Sequence, residues 1–211
     1  MAGIWLVLHL DAKKRGTMEE QLVALARRLR CETIPVTMVF ARPPAPFPGD
    51  ALRQAGVTLR HLDFARPAYA VARELWSWMR IERPRIAHFH FVEPYSPLLL
   101  AARLAGARVL IHDHLALSCG DPLRAAWKRV RARFLNGLFD ERIAVSSFVA
   151  RTVREVHRVP AARVAVVDNS VDASRFMSAD GHRVRAELQL GDAPLIVSVA
   201  RLDDEKGGEW L

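Results

Sequence analysis

Apolar and polar residues alternate along this chain with two different periods. Runs without a polar face, such as residues 4–10, predict strands buried on both sides of a sheet. Residues 18–29 instead place Leu22, Leu25 and Leu29 on one stripe, which predicts an amphipathic helix. Because such strands and helices take turns up to residue 167, we predict an α/β fold with a doubly wound, Rossmann-like parallel sheet.

The same pattern sets the expected element boundaries. The predicted strands are 4–10, 34–40, 57–62, 86–91, 108–112, 142–146 and 164–167. The predicted helices are 18–29, 69–81, 97–104, 123–138 and 149–156, and the proline-rich stretch RPPAPFPGD at 42–50 predicts a loop.

The regular alternation stops after residue 167. Residues 168–193 predict a polar linker with a short helix at 183–188, and residues 194–211 predict a strand, a charged turn and the start of a helix. We therefore expect a Rossmann-like domain at 1–170, a linker at 171–193 and the beginning of a truncated second α/β domain at 194–211.

Composition agrees with a globular protein. The 211 residues are 51% hydrophobic, enough for one sizeable domain or one domain plus a fragment. The apolar start precedes its positive charges, the reverse of a secretory signal, and no apolar run is long enough to cross a bilayer. We therefore interpret the start as a first strand and expect a cytoplasmic protein. Two cysteines, Cys31 and Cys119, suggest no disulfide framework.

The net charge of +8 favours phosphate-bearing partners without choosing among nucleotides, nucleic acid and anionic lipid. A nucleic-acid binder should carry an aromatic and basic stacking surface or a known motif, and neither is present, so none is expected. Residues 124–139 combine basic and aromatic positions in a predicted helix. A solvated helix explains them best, and peripheral contact with a membrane is the second interpretation.

The loop DAKKRGTMEEQ, at residues 11–21, places three cations and Gly16 before a helix. Backbone N–H groups at a helix start can approach an anion when glycine precedes them. The loop matches neither GxGxxG nor Walker A, which disfavours dinucleotide binding and P-loop hydrolysis. An ordinary strand-to-helix turn is an equally good interpretation.

Four of the eight histidines form two pairs, His88 with His90 and His112 with His114. The spacing of two puts each pair on one face of its strand. Such a group could bind a metal together with Glu93 or Asp113, but the spacing matches no familiar zinc pattern. We expect no metal, and instead a histidine that handles a proton or orients a substrate.

Five segments in order resemble the amino-terminal half of a family 4 glycosyltransferase of the two-domain GT-B architecture. The segments are GTMEEQLVALARRL (16–29), RPRIAHFHFVEPYSPLLLAARLAGARVLIHDH (83–114), RIAVSSFVARTV (142–153), VPAARVAVVDNSVDASRF (159–176) and ARLDDEKGGEWL (200–211). The resemblance implies transfer of a sugar, with retention of configuration, from a nucleotide-sugar donor to a glycan or lipid-linked acceptor. It implies no catalytic metal or cofactor, and a cytoplasmic place at the inner face of the membrane.

The resemblance also implies roles for individual residues. The histidine near the reacting centre is His114, with His112 as second choice. Three residues match positions that contact the donor phosphates: Gly16, Arg201 and Lys206. Three further residues are candidates for the acceptor side: His90, Glu93 and Asn169.

The chain departs from the family pattern in several places. Thr17 and Ser170 replace two glycines, and Arg85 stands where the family has an aspartate. The Glu-x7-Glu segment of the donor domain is absent. We therefore expect a transferase that is inactive alone, its donor half missing or supplied by another polypeptide. The alternative is a non-catalytic module that binds an acceptor glycan or lipid.

Overall fold

The structure, a computed structural model, describes residues 3–116, 130, 135–177 and 180–199. The chain divides into two compact units, Met1–Val171 and Asp172–Leu211. The predicted linker at 171–193 and second domain at 194–211 stay predictions.

Seven strands of the first unit form one parallel sheet in the order β3-β2-β1-β4-β5-β6-β7. The strands are β1 (Ile4–Leu8), β2 (Val36–Phe40), β3 (Thr58–His61), β4 (Ile86–His90), β5 (Arg108–Asp113), β6 (Glu141–Ala144) and β7 (Val164–Val166). The order runs outward from β1 in one direction and from β4 in the other. This reversal marks the carboxyl ends of β1 and β4 as the expected place for a ligand.

Helices cover both faces of the sheet. In the first unit they are α1 (Thr17–Cys31), α2 (Pro46–Gln54), α3 (Ala68–Glu82), α4 (Pro97–Leu104) and α5 (Ser147–His157), with 3-10 turns at Asn136–Leu138 and Ala161–Arg163. The second unit contains two short helices, α6 (Ser174–Met177) and α7 (His182–Glu187). Within the described residues, no helix combines the length and apolarity that crossing a bilayer requires.

Two hydrophobic cores lie on opposite sides of the sheet because successive strand residues point to opposite faces. Trp5 and Val7 of β1 pack in the core formed with α3, α4 and α5. Leu6 and Leu8 pack in the other core, formed with α1 and α2. This arrangement confirms the predicted α/β fold with a Rossmann-like parallel sheet.

Two local predictions are wrong. The proline-rich stretch at 42–50 is not wholly a loop, because α2 begins at Pro46. The N–H groups of the first helical turn make no hydrogen bonds within the helix. Proline, which has no N–H, therefore loses nothing there, and a proline cluster can begin a helix. The predicted strand after residue 194 is absent from the described residues 194–199, where Ile196 is 90% exposed and Val199 is 94% exposed.

The predicted helix at 123–138, with the basic face proposed for membrane contact, lies largely outside the described residues. Its last three residues, Asn136–Leu138, form the first 3-10 turn. Asn136 donates its Nδ2 to the carbonyl oxygen of His157 at 3.0 Å, which ties this turn to the end of α5.

Candidate functional site

The register of the central strands brings the four predicted histidines together. His90 pairs with His112 across β4 and β5. His88 and His90 stand beside Leu6 and Leu8 of β1, whose side chains belong to the core under α1. The histidines therefore point to the α1 face of the sheet, near its carboxyl edge.

The imidazole rings pack directly against one another. Ring centroids are 4.2 Å apart for His88 and His90, 4.8 Å for His90 and His112, and 4.5 Å for His112 and His114. The Nδ1 of His90 lies 3.1 Å from the Nε2 of His114, a hydrogen bond whose direction depends on the tautomers. We call these four residues the histidine cluster.

The cluster is uncharged at neutral pH. Burial, together with repulsion from His112 and His114, lowers the pKa of His88 to about 3. Burial, then the other three rings, holds the pKa of His90 well below its ordinary value. Burial also lowers the pKa of His112 and of His114 to about 4. All four rings can therefore give or accept hydrogen bonds at pH 7 without carrying charge.

Several ring nitrogens of the cluster are buried and have no hydrogen-bond partner within the part of the chain that the structure describes. No hydrogen bond from the described residues reaches the Nε2 of His88, the Nε2 of His90 or either nitrogen of His112. Buried polar atoms are almost always hydrogen-bonded in folded proteins. Unsatisfied nitrogens at a ligand-binding edge are therefore a sign of a site that meets an external group.

A cavity of about 370 Å³ opens beside the cluster, between α1 and the segment that follows β7. Its lining consists of Met18, Gln21, Leu22, Ala24, Leu25, His88, His90, His112, Ile143, Val167, Asp168, Asn169 and Ser170. Gln21 donates its Nε2 to the carbonyl oxygen of Ser170 at 2.9 Å, which connects the two walls. The cavity combines an apolar wall from α1 with polar groups from three strand ends.

On the opposite face of the sheet, a buried ion pair fixes the end of β5. Asp113 lies between His112 and His114 in sequence, so its side chain points away from them. Its carboxylate accepts hydrogen bonds from the Nε of Arg142, at 2.8 Å, and from the Nη2. The Arg142 side chain is 0% exposed. This pair holds β5 against β6 where the histidine cluster needs a fixed backbone.

Gly16 caps the start of α1 in an extended conformation, with φ of −125°. A Cβ atom there would lie 2.6 Å from the Oε2 of Glu19, a side chain only 4% exposed. A side chain at position 16 would therefore require the end of the Glu19 side chain to turn away, whereas the backbone angle itself is open to any residue.

The structure brings some of the predicted site residues together. The cavity is lined by His90, His112 and Asn169. His114 is outside this lining but is hydrogen-bonded to His90. Glu93 lies apart from this lining, in the exposed loop after β4. Arg201 and Lys206 lie outside the described residues. The roles assigned to all seven residues and to Gly16 stay predictions.

Four polar residues of the cavity were not among the predicted site residues: Gln21, His88, Asp168 and Ser170. His88 stood in the four-histidine pattern, and its spacing from His90 was the signal that it shares the same face. Gln21 and Asp168 carried no such signal, because their positions depend on how α1 and the end of β7 pack across the sheet.

Comparison with known proteins places the fold. The family model of glycosyltransferase family 4 matches residues 18–175, whereas a search of curated proteins found no match. Anabaena Alr3699/HepE in complex with UDP aligns with a TM-score of 0.72 and 15% identity, over 98% of this chain and 55% of that one. A glycosyltransferase from Rickettsia africae ESF-5 aligns with a TM-score of 0.66 and 14% identity, over 93% and 51%.

MurG from Acinetobacter baumannii aligns with a TM-score of 0.52 and 15% identity, over 82% of this chain and 46% of that one. The chain therefore spans about half the length of the solved structures it matches. At these identities the structural likeness concerns the fold, whereas the family model covers most of the sequence. The chain belongs to glycosyltransferase family 4.

Proposed function

We propose that this chain provides the acceptor-side half of a retaining glycosyltransferase that uses a nucleotide-sugar donor. The observation that carries the proposal is the cavity beside the histidine cluster. It lies in the family 4 domain, at the sheet edge where such folds bind ligands. A sugar presents many hydroxyl groups, and neutral imidazoles and the Asn169 amide can hydrogen-bond to them.

The nucleotide-sugar part of the proposal is supported by the matched structures. Anabaena Alr3699/HepE was solved with UDP and, in a further structure, with UDP-glucose. For this chain we assign the donor phosphates to Gly16, Arg201 and Lys206. The two cations would stabilise the negative charge that develops on a departing nucleoside diphosphate.

We assign the reacting-centre role to His114, with His112 as the alternative. Because burial lowers the pKa of His114 to about 4, its ring is neutral at pH 7. A neutral ring does not offset the charge of the leaving diphosphate, but it can orient a sugar hydroxyl group by hydrogen bonding. His90, Glu93 and Asn169 are assigned to the acceptor side.

We further propose that the 211 residues do not catalyse transfer alone. The matched structures contain about as much chain again beyond the aligned half. A donor half on a separate polypeptide would complete the enzyme. The proposal places the protein in the cytoplasm, at the inner membrane face where a lipid-linked acceptor would lie, and it includes no metal or organic cofactor in the transfer reaction.

A transfer assay tests the proposal. Purified chain is mixed with labelled UDP-, GDP- and ADP-sugars, alone or with a detergent extract of the source cells, which supplies acceptors and any separate donor half. We expect background label alone and chain-dependent label with extract. His114→Ala should reduce this label by about 100-fold, the lower end of what a positioned proton-handling group contributes. The exposed His182→Ala is the control and should leave it unchanged.

Two results would contradict the enzyme proposal: no chain-dependent label with extract, or full label with His114→Ala. Robust transfer by the chain alone would contradict the incompleteness. Retention of configuration is checked from the anomeric coupling constant of the product by ¹H NMR.

A non-catalytic binding module is the second candidate. The observation that favours it is that all residues lining the cavity belong to the first unit, so a ligand can bind without any donor half. A module would bind a glycan or lipid acceptor with the same affinity whether or not a nucleotide sugar is present, and would transfer nothing. The transfer assay with extract distinguishes the two, because only the enzyme gives chain-dependent label.

A further inference from the structure

Three members of the histidine cluster are arranged as ligands for one ion. His88, His90 and His112 each offer a ring nitrogen, and these three atoms all lie within 4.8 Å of one another. Three protein ligands within one sphere, beside a cavity, is the usual arrangement of an open metal site. We propose that His88, His90 and His112 bind a divalent first-row transition metal ion, for which Zn²⁺ is the reference species.

Within the histidine cluster, the buried nitrogens without a hydrogen-bond partner in the described part of the chain belong to the three proposed metal ligands, which supports the metal site. The Nε2 of His88, the Nε2 of His90 and both nitrogens of His112 have no partner among the described residues. If these were only packed core histidines, each neutral ring would leave a buried donor or acceptor unpaired, at a cost in stability. A single cation satisfies one lone pair from each ring at once.

His114 provides the supporting contact for the site. Metal-binding histidines almost always use their second ring nitrogen for a hydrogen bond that fixes the ring and its tautomer. The Nδ1 of His90 makes such a bond to the Nε2 of His114, 3.1 Å away. With the proton on Nδ1 of His90, the lone pair on its Nε2 is free to bind the ion. His114 is therefore a positioning residue of the metal site.

The spacing requires a modest inward movement. Nitrogens bound tetrahedrally to zinc at about 2.0–2.1 Å lie roughly 3.3 Å apart. The widest pair therefore has to approach by about 1.5 Å, which ring rotation about side-chain torsions can supply. The rings of His88 and His112 are nearly parallel, 7° apart with centroids at 5.4 Å, so both must turn for their nitrogens to meet one ion.

Ligand chemistry selects the class of metal. Imidazole suits zinc, copper, nickel and iron, whereas magnesium and calcium require oxygen ligands. Among the residues lining the described cavity, Asp168 is the one with a carboxylate. Asp113 cannot serve, because its carboxylate is paired with the buried Arg142 on the opposite face.

Metal content of the untagged, full 211-residue chain tests the proposal. The chain is stripped with EDTA, dialysed against Zn²⁺ and analysed by mass spectrometry for metal per chain, and affinity is measured against a chromophoric chelator. We expect one zinc per chain. His88→Asn and His112→Asn should each weaken binding by more than about 100-fold, and His114→Asn by about 10–100-fold. His182→Asn, a change at an exposed histidine, should have no effect.

Wild-type measurements decide the question even if a variant fails to fold. Zn²⁺ should raise the thermal midpoint of the wild-type chain while Mg²⁺ does not, since an ion that binds only the folded state stabilises it. Co²⁺ should give the visible absorption of a four-coordinate histidine site. No zinc retained by wild type, or unchanged affinity in His88→Asn and His112→Asn, would overturn the site. Because the readout is metal content, the result is independent of whether the chain takes part in sugar transfer.

Discussion

Mild acid is expected to destabilise the metal-free protein through the most buried histidines of the cluster. The folded-state pKa of His88 is about 3, against an ordinary value of 6.5 that applies to the unfolded chain. Between these values the unfolded state binds more protons than the folded state. The free energy of unfolding therefore increases with pH across this window, and stability is lost as the pH falls below about 6.5.

The size of the loss depends on how far the assay pH lies below the pKa of the histidine in the unfolded chain. At about pH 5 this difference is roughly 1.5 pH units, so a buried histidine that stays neutral lowers the free energy of unfolding by about 2 kcal/mol. His90, which is 3% exposed, should contribute about that amount. His88, whose ring is partly exposed, should contribute about 1–2 kcal/mol. His112 and His114 lie nearer to solvent, so their contributions are smaller.

Urea unfolding of the chain in EDTA, at about pH 5 and about pH 7.5, measures this loss. The His90→Asn variant should show a difference in the free energy of unfolding between the two pH values that is smaller by about 2 kcal/mol, whatever its stability at either pH. His182→Asn should leave the pH dependence unchanged, because that ring is exposed. An equal or steeper pH dependence in the His90→Asn variant would refute the assignment of acid sensitivity to the cluster.

Two further substitutions test the packing around the site by urea unfolding. Asp113→Ala leaves the guanidinium of Arg142 buried without its partner and should lower the free energy of unfolding by about 3–5 kcal/mol. The control, Asp50→Ala, removes an exposed ion pair with Arg53 and should cost less than about 1 kcal/mol. Similar costs for the two variants would contradict a structural role for the buried pair. Gly16→Ala should cost less than about 1 kcal/mol, because its new Cβ meets only the far end of the Glu19 side chain, which can turn away. That cost should nearly disappear in a Glu19→Ala background, and a cost that persists would point to the backbone of Gly16 instead.

The fold was predictable because parallel strands buried on both faces have a simple sequence signature. β1 and β4 are apolar runs between polar loops, and their period identifies them without any tertiary information. α2 was not predictable in the same way, because prolines in a first helical turn look like prolines in a loop. The absence of a strand at 194–199 reflects a similar limit, since an apolar run becomes a strand only beside a neighbour that can pair with it.

The candidate site was predictable in part. A spacing of two put His88 with His90, and His112 with His114, on common strand faces. The register that sets His90 against His112 depends on how β4 and β5 pair, and one sequence does not specify it. The contact between Gln21 and Ser170 joins residues 149 positions apart, so it depends entirely on packing across the sheet.

We propose above that the cavity beside the histidine cluster receives the acceptor sugar. Long-range ¹H–¹⁵N NMR spectra of the eight histidine rings test it directly, with a panel of methyl hexopyranosides titrated into the ¹⁵N-labelled chain. We expect at least one sugar to shift the ring signals of His90, His112 and His114 while those of His61 and His182 stay unchanged. Shifts confined to rings outside the cluster, or no shift with any sugar of the panel, would contradict it.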